Sequence, residues 1–230
     1  VQMQENLDGR LKAFCKEVQV QGAQGLRVCE QLQMALQRKG VQAQKHWVLL
    51  NDAAATLLGG RAAAKQPYDA YLGCVYGTGL NCCYPEKPQN IAGIAGAAER
   101  NMIINMESGM HHAFAQGAAD RLLDETSELP GDHRFEKMVS GAYLGRLTAI
   151  TAKLCQQHGA LSAHCAVPEA FSLAALGELL DGGAMPGFET EDAAALRLIA
   201  QRLQERAEKL VFLSLACVLE HIGNPARSCI

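Results

Sequence analysis

Long apolar segments are absent from this 230-residue chain. The longest, LVFLSLACVL at residues 210–219, has about half the length that a bilayer span requires, so we expect a buried helix there and no membrane partner. The first twelve residues, VQMQENLDGRLK, are polar and lack the apolar centre of a secretory signal, so none is expected.

The chain also lacks an excess of positive charge. Its 21 lysines and arginines stand against 24 aspartates and glutamates, which gives a formal net charge of −3, and the two signs are interleaved. A nucleic-acid-binding protein needs a basic stripe to neutralise phosphates. The composition therefore argues against nucleic acid as a partner.

The nine cysteines are an odd set, spread along the chain. This argues against a secreted disulfide framework and favours reduced thiols in the cytoplasm. Adjacent Cys82 and Cys83 would point to opposite faces of a strand, so they are poor partners for each other. Two cysteines and two histidines in segment 155–165 are zinc-type ligands. Their spacing is not that of a standard finger, so buried or capping residues are preferred over zinc, and no metal site is predicted.

Hydrophobic periodicity predicts strands in the first half of the chain and helices later. The continuous apolar run 47–50 is typical of a strand buried on both faces. Further strands are predicted at 11–20, on both sides of a glycine-rich turn at 77–79, and before Glu107. Predicted helices cover residues 26–40, 53–60, 135–154, 171–180 and 190–221. Thr190, followed by two acids, is the predicted N-cap of the last helix.

Polar residues follow the predicted strand 47–50, where α/β proteins commonly place their sites. There Asp52 is well placed to accept a proton from a substrate hydroxyl. Alternatively, it caps the helix that follows.

The turn GTG at residues 77–79 also has two interpretations. Glycines at positive φ let backbone N–H groups approach a phosphate, and the Thr78 hydroxyl adds a donor. A tight hairpin favours glycine just as well. Taken singly, Asn81, Glu107 and Glu136 are equally compatible with turn or surface residues.

In their order along the chain, however, the segments LLNDAAATLL, GCVYGTGLNCCY, INMESG and RFEKMVSGAYLGRL resemble the hexokinase family. The resemblance covers nearly the whole chain and is greatest to bacterial members. It implies an α/β fold of the actin-like ATPase (ribonuclease H-like) type. Residues 1–50 would be a remnant of the small lobe, and residues 51–230 a large lobe that is incomplete at its C-terminus.

The resemblance further implies ATP-dependent phosphorylation of a glucose-like hexose at its 6-hydroxyl, the first step of glycolysis, with Mg²⁺. Asp52 would be the general base, and Thr78 with the backbone of Gly77 and Gly79 would cradle an ATP phosphate. Hexose hydroxyls would be bound by Lys16, Asn51, Asn81, Glu107 and Glu136. Carboxylates and amides suit this task because each sugar hydroxyl both donates and accepts hydrogen bonds.

Five residues depart from the family pattern without removing an expected catalytic group: Cys15, Leu80, Ser108, Leu129 and Arg146. The family's N-terminal phosphate loop and C-terminal adenosine-binding segment are not found in the chain. We therefore expect weak hexose binding and poor turnover from it alone, with newly exposed surface that favours a homo-oligomer. The alternatives are a non-catalytic sugar-binding or regulatory relative, and an actin-like ATPase that shares only the fold.

Overall fold

The computed structural model describes residues 2–3, 7–12, 20–41, 46–93, 100–183 and 187–230. Its helices are α1 (Val28–Arg38), α2 (Asp52–Ala63), α3 (Ala118–Glu125), α4 (Arg134–Val139), α5 (Gly141–Gln157), α6 (Leu173–Leu180) and α7 (Thr190–His221). Its strands are β1 (Gln2–Met3), β2 (Gly9–Arg10), β3 (Ala70–Tyr71), β4 (Gly73–Tyr76), β5 (Leu80–Glu86), β6 (Met102–Asn105) and β7 (Ser228–Cys229). None of the described helices combines the length and apolar character that a bilayer crossing requires.

The antiparallel sheet β4–β5–β6 organises the first half of the molecule. Its residues alternate between two apolar layers because neighbouring side chains on a strand point to opposite faces. Cys82 packs in the layer formed with α4 and α7, whereas Cys83 packs against α2. The predicted hairpin, the strand before Glu107 and the opposed directions of these two cysteines are confirmed. Two short pairs complete the sheets, β1–β2 antiparallel and β3–β7 parallel.

The second half is helical, as predicted. Helices α5, α6 and α7 enclose an apolar cluster in which Leu179 and Leu196 are fully buried. At its other end α5 packs with α3 and α7 through Leu123 and Leu147. The Arg206 guanidinium of α7 donates to both carboxylate oxygens of buried Asp120 in α3, at 2.8 and 2.9 Å. This bidentate pair holds the long helix in register against the helical layer.

The single helix predicted at 135–154 is wrong, because the chain breaks between α4 and α5. Ser140 has an extended backbone (φ −86°, ψ 155°), and its N–H still bonds the Glu136 carbonyl at 2.8 Å. The break turns the Gly141 N–H toward the carbonyl of Gly77, 2.8 Å away. A long-range hydrogen bond to the glycine-rich turn thus takes the place of a helical hydrogen bond at Gly141.

The buried strand predicted at 47–50 is also wrong. Residues 46–50 form no strand among the described residues, and Val48 and Leu50 are exposed. The Leu49 N–H does bond the Leu7 carbonyl, but no ladder covers the segment. Of the strand predicted at 11–20, residues 13–19 lie outside the described part of the chain.

Two predicted helix ends shift. Helix α2 was predicted to end at Gly59 and Gly60, but it continues through both glycines to Ala63. Both glycines are exposed. In α7 the N-cap is Glu189, and the predicted cap Thr190 is the first helical residue. The helices predicted at 26–40, 171–180 and 190–221 are otherwise confirmed as α1, α6 and α7. The division into lobes at residue 50 stays a prediction.

Low pH is expected to destabilise the fold by protonating Asp124, a carboxylate that is buried beside Lys137. Burial alone would raise the pKa of Asp124, but the Lys137 ammonium, the Gly131 N–H and Arg134 outweigh it and lower that pKa. A carboxyl with a lowered folded-state pKa stabilises the fold fully above its unfolded-state pKa. That contribution is lost as the pH falls through the folded-state value.

We expect Asp124→Asn to be less stable than the wild type at pH 7 and to lose less of its unfolding free energy between pH 5 and acid. Urea unfolding at a series of pH values measures both effects. The matched control is Asp181→Asn, which removes an exposed carboxylate at the end of α6. Equal pH slopes for wild type and Asp124→Asn would contradict the assignment.

Candidate active site

A cleft of about 290 Å³ opens between the start of α2, the turn at 77–79 and the segment after β6. Seven of the nine predicted site residues line it: Asn51, Asp52, Thr78, Gly79, Asn81, Glu107 and Glu136. Gly77 belongs to the same turn but does not line the cleft. Lys16 lies outside the described residues. The structure thus brings together side chains that are separated by up to 85 positions in the sequence.

The N-terminus of α2 places Asn51 and Asp52 in the cleft. Asn51 is the N-cap, and its Oδ1 accepts the N–H groups of Ala53 (2.9 Å) and Ala54 (3.4 Å). Asp52 is exposed, and its Oδ1 also accepts the Ala53 N–H, at 2.9 Å. The capping role considered for Asp52 therefore belongs mainly to Asn51.

Two backbone hydrogen bonds of Gly77 hold the turn between β4 and β5. The Gly77 N–H donates to the Gly79 carbonyl (2.9 Å), while the Gly77 carbonyl accepts from Gly141 (2.8 Å). A Cβ atom on Gly141 would come within 3.1 Å of that carbonyl, so the turn and α5 approach each other closely at this glycine. Neither Gly77 nor Gly79 has a left-handed φ, so the positive-φ argument for these glycines is wrong. Exposed Thr78 forms the tip of the turn.

Asn81 and Glu107 are joined through Asn105, which the sequence argument missed. Asn81 Nδ2 donates to Asn105 Oδ1 at 2.7 Å, and Asn105 Nδ2 donates to Glu107 Oε1 at 2.7 Å. The Ser108 N–H lies 3.4 Å from Asn81 Oδ1. This chain of bonds fixes which end of each amide faces the cleft. A signal was available, because Asn105 ends the same strand that delivers Glu107.

Glu136 is buried, with 4% of its surface exposed, and comes from the first turn of α4. Its Oε2 accepts the Leu80 N–H at 3.0 Å. Leu80 thus contributes its backbone, which explains how an apolar side chain is accommodated at this position. A Cβ atom on Gly109 would lie 3.1 Å from Glu136 Oε2, so the close fit of this carboxylate depends on glycine.

Two residues of the cleft have strained backbones. Glu107 (φ 49°, ψ 49°) and His133 (φ 51°, ψ 36°) are left-handed, a conformation that non-glycine residues rarely adopt. They are two of the four non-glycine residues with positive φ in the described ranges. Such strain concentrates at binding and catalytic sites. His133 gave no signal in the sequence.

The cleft combines hydroxyl-binding groups with a carboxylate at a helix start. Glu107, Glu136 and the two amides can bind the hydroxyls of a polyol, while Asp52 can remove a proton from one of them. In the part of the chain that the structure describes, His, Cys, Asp and Glu side chains form no group of three or more that could hold a metal ion. This statement includes the cysteines and histidines of segment 155–165.

Comparison with known proteins identifies relatives of this chain. The family model described as hexokinase matches residues 71–230. Hexokinase-3 of Rattus norvegicus is 27% identical over 93% of this chain and 25% of its own length. Hexokinase-1 of Nicotiana tabacum is 36% identical over 60% of this chain and 28% of its own length.

A solved structure extends the likeness to three dimensions. The Schistosoma mansoni hexokinase complexed with glucose superposes with a TM-score of 0.72 at 26% identity, covering 94% of this chain and 53% of that one. This confirms the predicted α/β fold of the actin-like ATPase type. The chain spans about half of that relative and about a quarter of the curated ones. Because the family model matches more than half of its residues, the chain belongs to the hexokinase family.

Proposed function

We propose that this chain carries the sugar-binding and proton-accepting part of a kinase that phosphorylates the 6-hydroxyl of a glucose-like hexose with ATP. The observation that carries the proposal is the convergence of the predicted residues in one cleft. The family relationship and the glucose named with the Schistosoma mansoni structure support hexose as the substrate class.

Hexose recognition would rest on the groups along one side of the cleft. Glu136 and Glu107 accept hydrogen bonds from hydroxyls, and Asn81, held by Asn105, offers an amide to a third. Hydrogen bonds to charged groups contribute about 1.5–3 kcal/mol each when water is excluded. The fixed orientation of the amides and carboxylates lowers the entropy lost on binding.

Phosphoryl transfer would occur where Asp52 and Thr78 face the same cleft. Asp52 would accept the proton of the attacking 6-hydroxyl, and Asn51 would hold a neighbouring sugar hydroxyl. Thr78 and the backbone at 77–79 would contact an ATP phosphate. This reaction depends on positioning more than on covalent chemistry, which fits a site built on fixed helix and strand ends.

Mg²⁺ neutralises phosphate charge in kinases of this kind when it is bound with the nucleotide. The described residues form no group of three or more His, Cys, Asp and Glu side chains that could hold a metal ion by itself, so Mg²⁺ would enter with the nucleotide, and we derive no step through it. Lys16 is proposed, from the family resemblance alone, to add a sugar contact. The cytoplasmic location and a homo-oligomer also remain predictions.

Loss of hexose binding in Asn81→Ala is the test of the site. We expect the wild-type chain to bind glucose in calorimetry, and the variant to bind at least about 10-fold more weakly, because one amide contact is lost and Asn105 is released. The matched control Asn101→Ala removes an exposed asparagine that does not line the cleft and should bind normally.

Absence of glucose binding by the folded wild-type chain would count against the proposal. So would equal losses in the Asn81→Ala and Asn101→Ala variants. Hexose binding without any phosphoryl transfer would instead favour the non-catalytic alternative.

A further inference from the structure

Two thiols face each other directly on the hairpin that carries the turn at 77–79. Cys74 of β4 and Cys82 of β5 are paired in the antiparallel register, and their Sγ atoms lie 3.7 Å apart. Cross-strand pairs bring Cα atoms to about 4.5–5.5 Å, within the span that a disulfide accepts. The neighbouring thiol, Cys83, lies opposite Gly73 and has no such partner across the strand.

The surroundings of the pair favour thiolate chemistry. The hydrogen bond with Cys74 lowers the pKa of Cys82 to about 7, against the opposing effect of burial and with help from the Ser108 hydroxyl. The same hydrogen bond, with burial, raises the pKa of Cys74. Of the two thiols, Cys82 is therefore the one that gives up its proton more readily. Thiolates are the nucleophilic form of cysteine.

Access to the pair comes from Cys74. Cys82 is buried, with 1% of its surface exposed, in the apolar layer with Val139 and Val211. Cys74 is only partly buried and lies at the margin of that layer. A small reagent that enters beside Cys74 would meet the Cys82 sulfur 3.7 Å further on.

We propose that Cys74 and Cys82 form a reversible disulfide when the protein meets hydrogen peroxide. The Cys82 thiolate attacks one peroxide oxygen, the O–O bond breaks, and the hydroxide that leaves takes up a proton to become water. The resulting sulfenic acid is attacked by the Cys74 sulfur, its S–O bond breaks, and a second water leaves with the Cys74 proton. Two thiols lose two electrons, and the peroxide is reduced to two waters.

The site adjoins the cleft without belonging to it. Cys82 directly follows Asn81, and its carbonyl accepts the Met106 N–H at 3.0 Å, next to Glu107. Closing the bond moves the sulfur atoms from 3.7 Å to about 2.05 Å apart. Closing the disulfide would therefore shift β5, the strand that carries the cleft residues Leu80 and Asn81.

Peptide mapping tests the proposal on the intact chain. The protein is treated with hydrogen peroxide, denatured, alkylated with iodoacetamide and digested with trypsin. The tryptic peptide 66–100 contains Cys74, Cys82 and Cys83 as its three cysteines. We expect three labels in the reduced protein and one after peroxide, located on Cys83. Dithiothreitol added before alkylation restores all three.

Single cysteine variants distinguish the Cys74–Cys82 pair from the neighbouring Cys83. Cys83→Ala should show two labels when reduced and none after peroxide, whereas Cys82→Ala, which lacks the attacking thiolate, should keep both of its labels. Three labels in the peroxide-treated wild type, or loss of the label from Cys83 in place of Cys74 or Cys82, would overturn the proposal. So would oxygen adducts that dithiothreitol cannot remove. The wild-type pattern decides the matter even if a variant misfolds.

Discussion

Replacing Asp52 with asparagine is expected to lower the rate of hexose phosphorylation by about 10²–10⁴-fold, the usual contribution of a general base. Asparagine has the same shape, and its carbonyl oxygen can still accept the Ala53 N–H that Asp52 accepts at 2.9 Å. The amide cannot take up the proton of the attacking hydroxyl. The loss should therefore appear in phosphoryl transfer, with hexose affinity changed by less than about 3-fold.

Single-turnover transfer of labelled γ-phosphate to glucose is the appropriate measurement, because it detects slow reactions that a coupled assay misses. The matched control is Glu191→Gln, which removes an exposed acid from the first turn of α7. Both substitutions remove a carboxylate that interacts favourably with a helix N-terminus, at a cost of about 0.3–1 kcal/mol in stability. Only Asp52→Asn should affect transfer.

Two results would argue against this role for Asp52. Transfer by Asp52→Asn within about 5-fold of the wild type would exclude it as the base. Glucose binding by a wild-type chain that performs no single-turnover transfer would favour a non-catalytic sugar-binding protein.

Local sequence patterns predicted those elements whose structure is determined locally. The hairpin around residues 77–79 and the strand before Glu107 follow from alternating apolar residues, and α7 follows from helical spacing. The break at Ser140 could not be predicted in this way, since the bond from Gly141 to Gly77 joins residues 64 positions apart. The apolar run 47–50 fits a buried strand, but the described residues supply no ladder to bury it.

The candidate site was predicted from the order of the motifs along the chain and not from any single motif. Asp52 was compatible with a cap, and Thr78 with a turn, until their neighbours were considered together. Asn105 was missed although its position at the end of the strand before Glu107 offered a signal, and His133 offered none. Asn105 acts by bonding to Asn81 and Glu107, and His133 lines the cleft through a left-handed turn. Both properties depend on tertiary structure.

Gly73→Ala is expected to cause the largest loss of stability among single methyl additions near the site. A Cβ atom at Gly73 would lie 2.2 Å from the Ala53 carbonyl oxygen and 2.9 Å from Leu57 Cβ, both in α2. It would also lie 2.7 Å from Cys83 Sγ. Helix α2 rests directly on β4, so the methyl group can be accommodated only if the helix moves away from the sheet.

Overpacking of this kind costs about 1–3 kcal/mol, and contact with backbone atoms places Gly73→Ala at the upper end. For a chain of this size, about 3 kcal/mol lowers the thermal midpoint by about 6–12 °C. Moving α2 also displaces Asn51 and Asp52, which begin that helix. Hexose binding should therefore weaken together with stability, even at temperatures where the variant remains folded.

Gly59→Ala is the matched control, because it adds the same methyl group to the same helix. A Cβ atom at Gly59 has no other atom within 4 Å, and the residue is exposed in the interior of α2. Alanine there should stabilise the protein by about 0.5–1 kcal/mol through its higher helix propensity. Thermal unfolding followed by circular dichroism measures both variants. A midpoint for Gly73→Ala within about 2 °C of the wild type would show that α2 does not depend on close contact with β4.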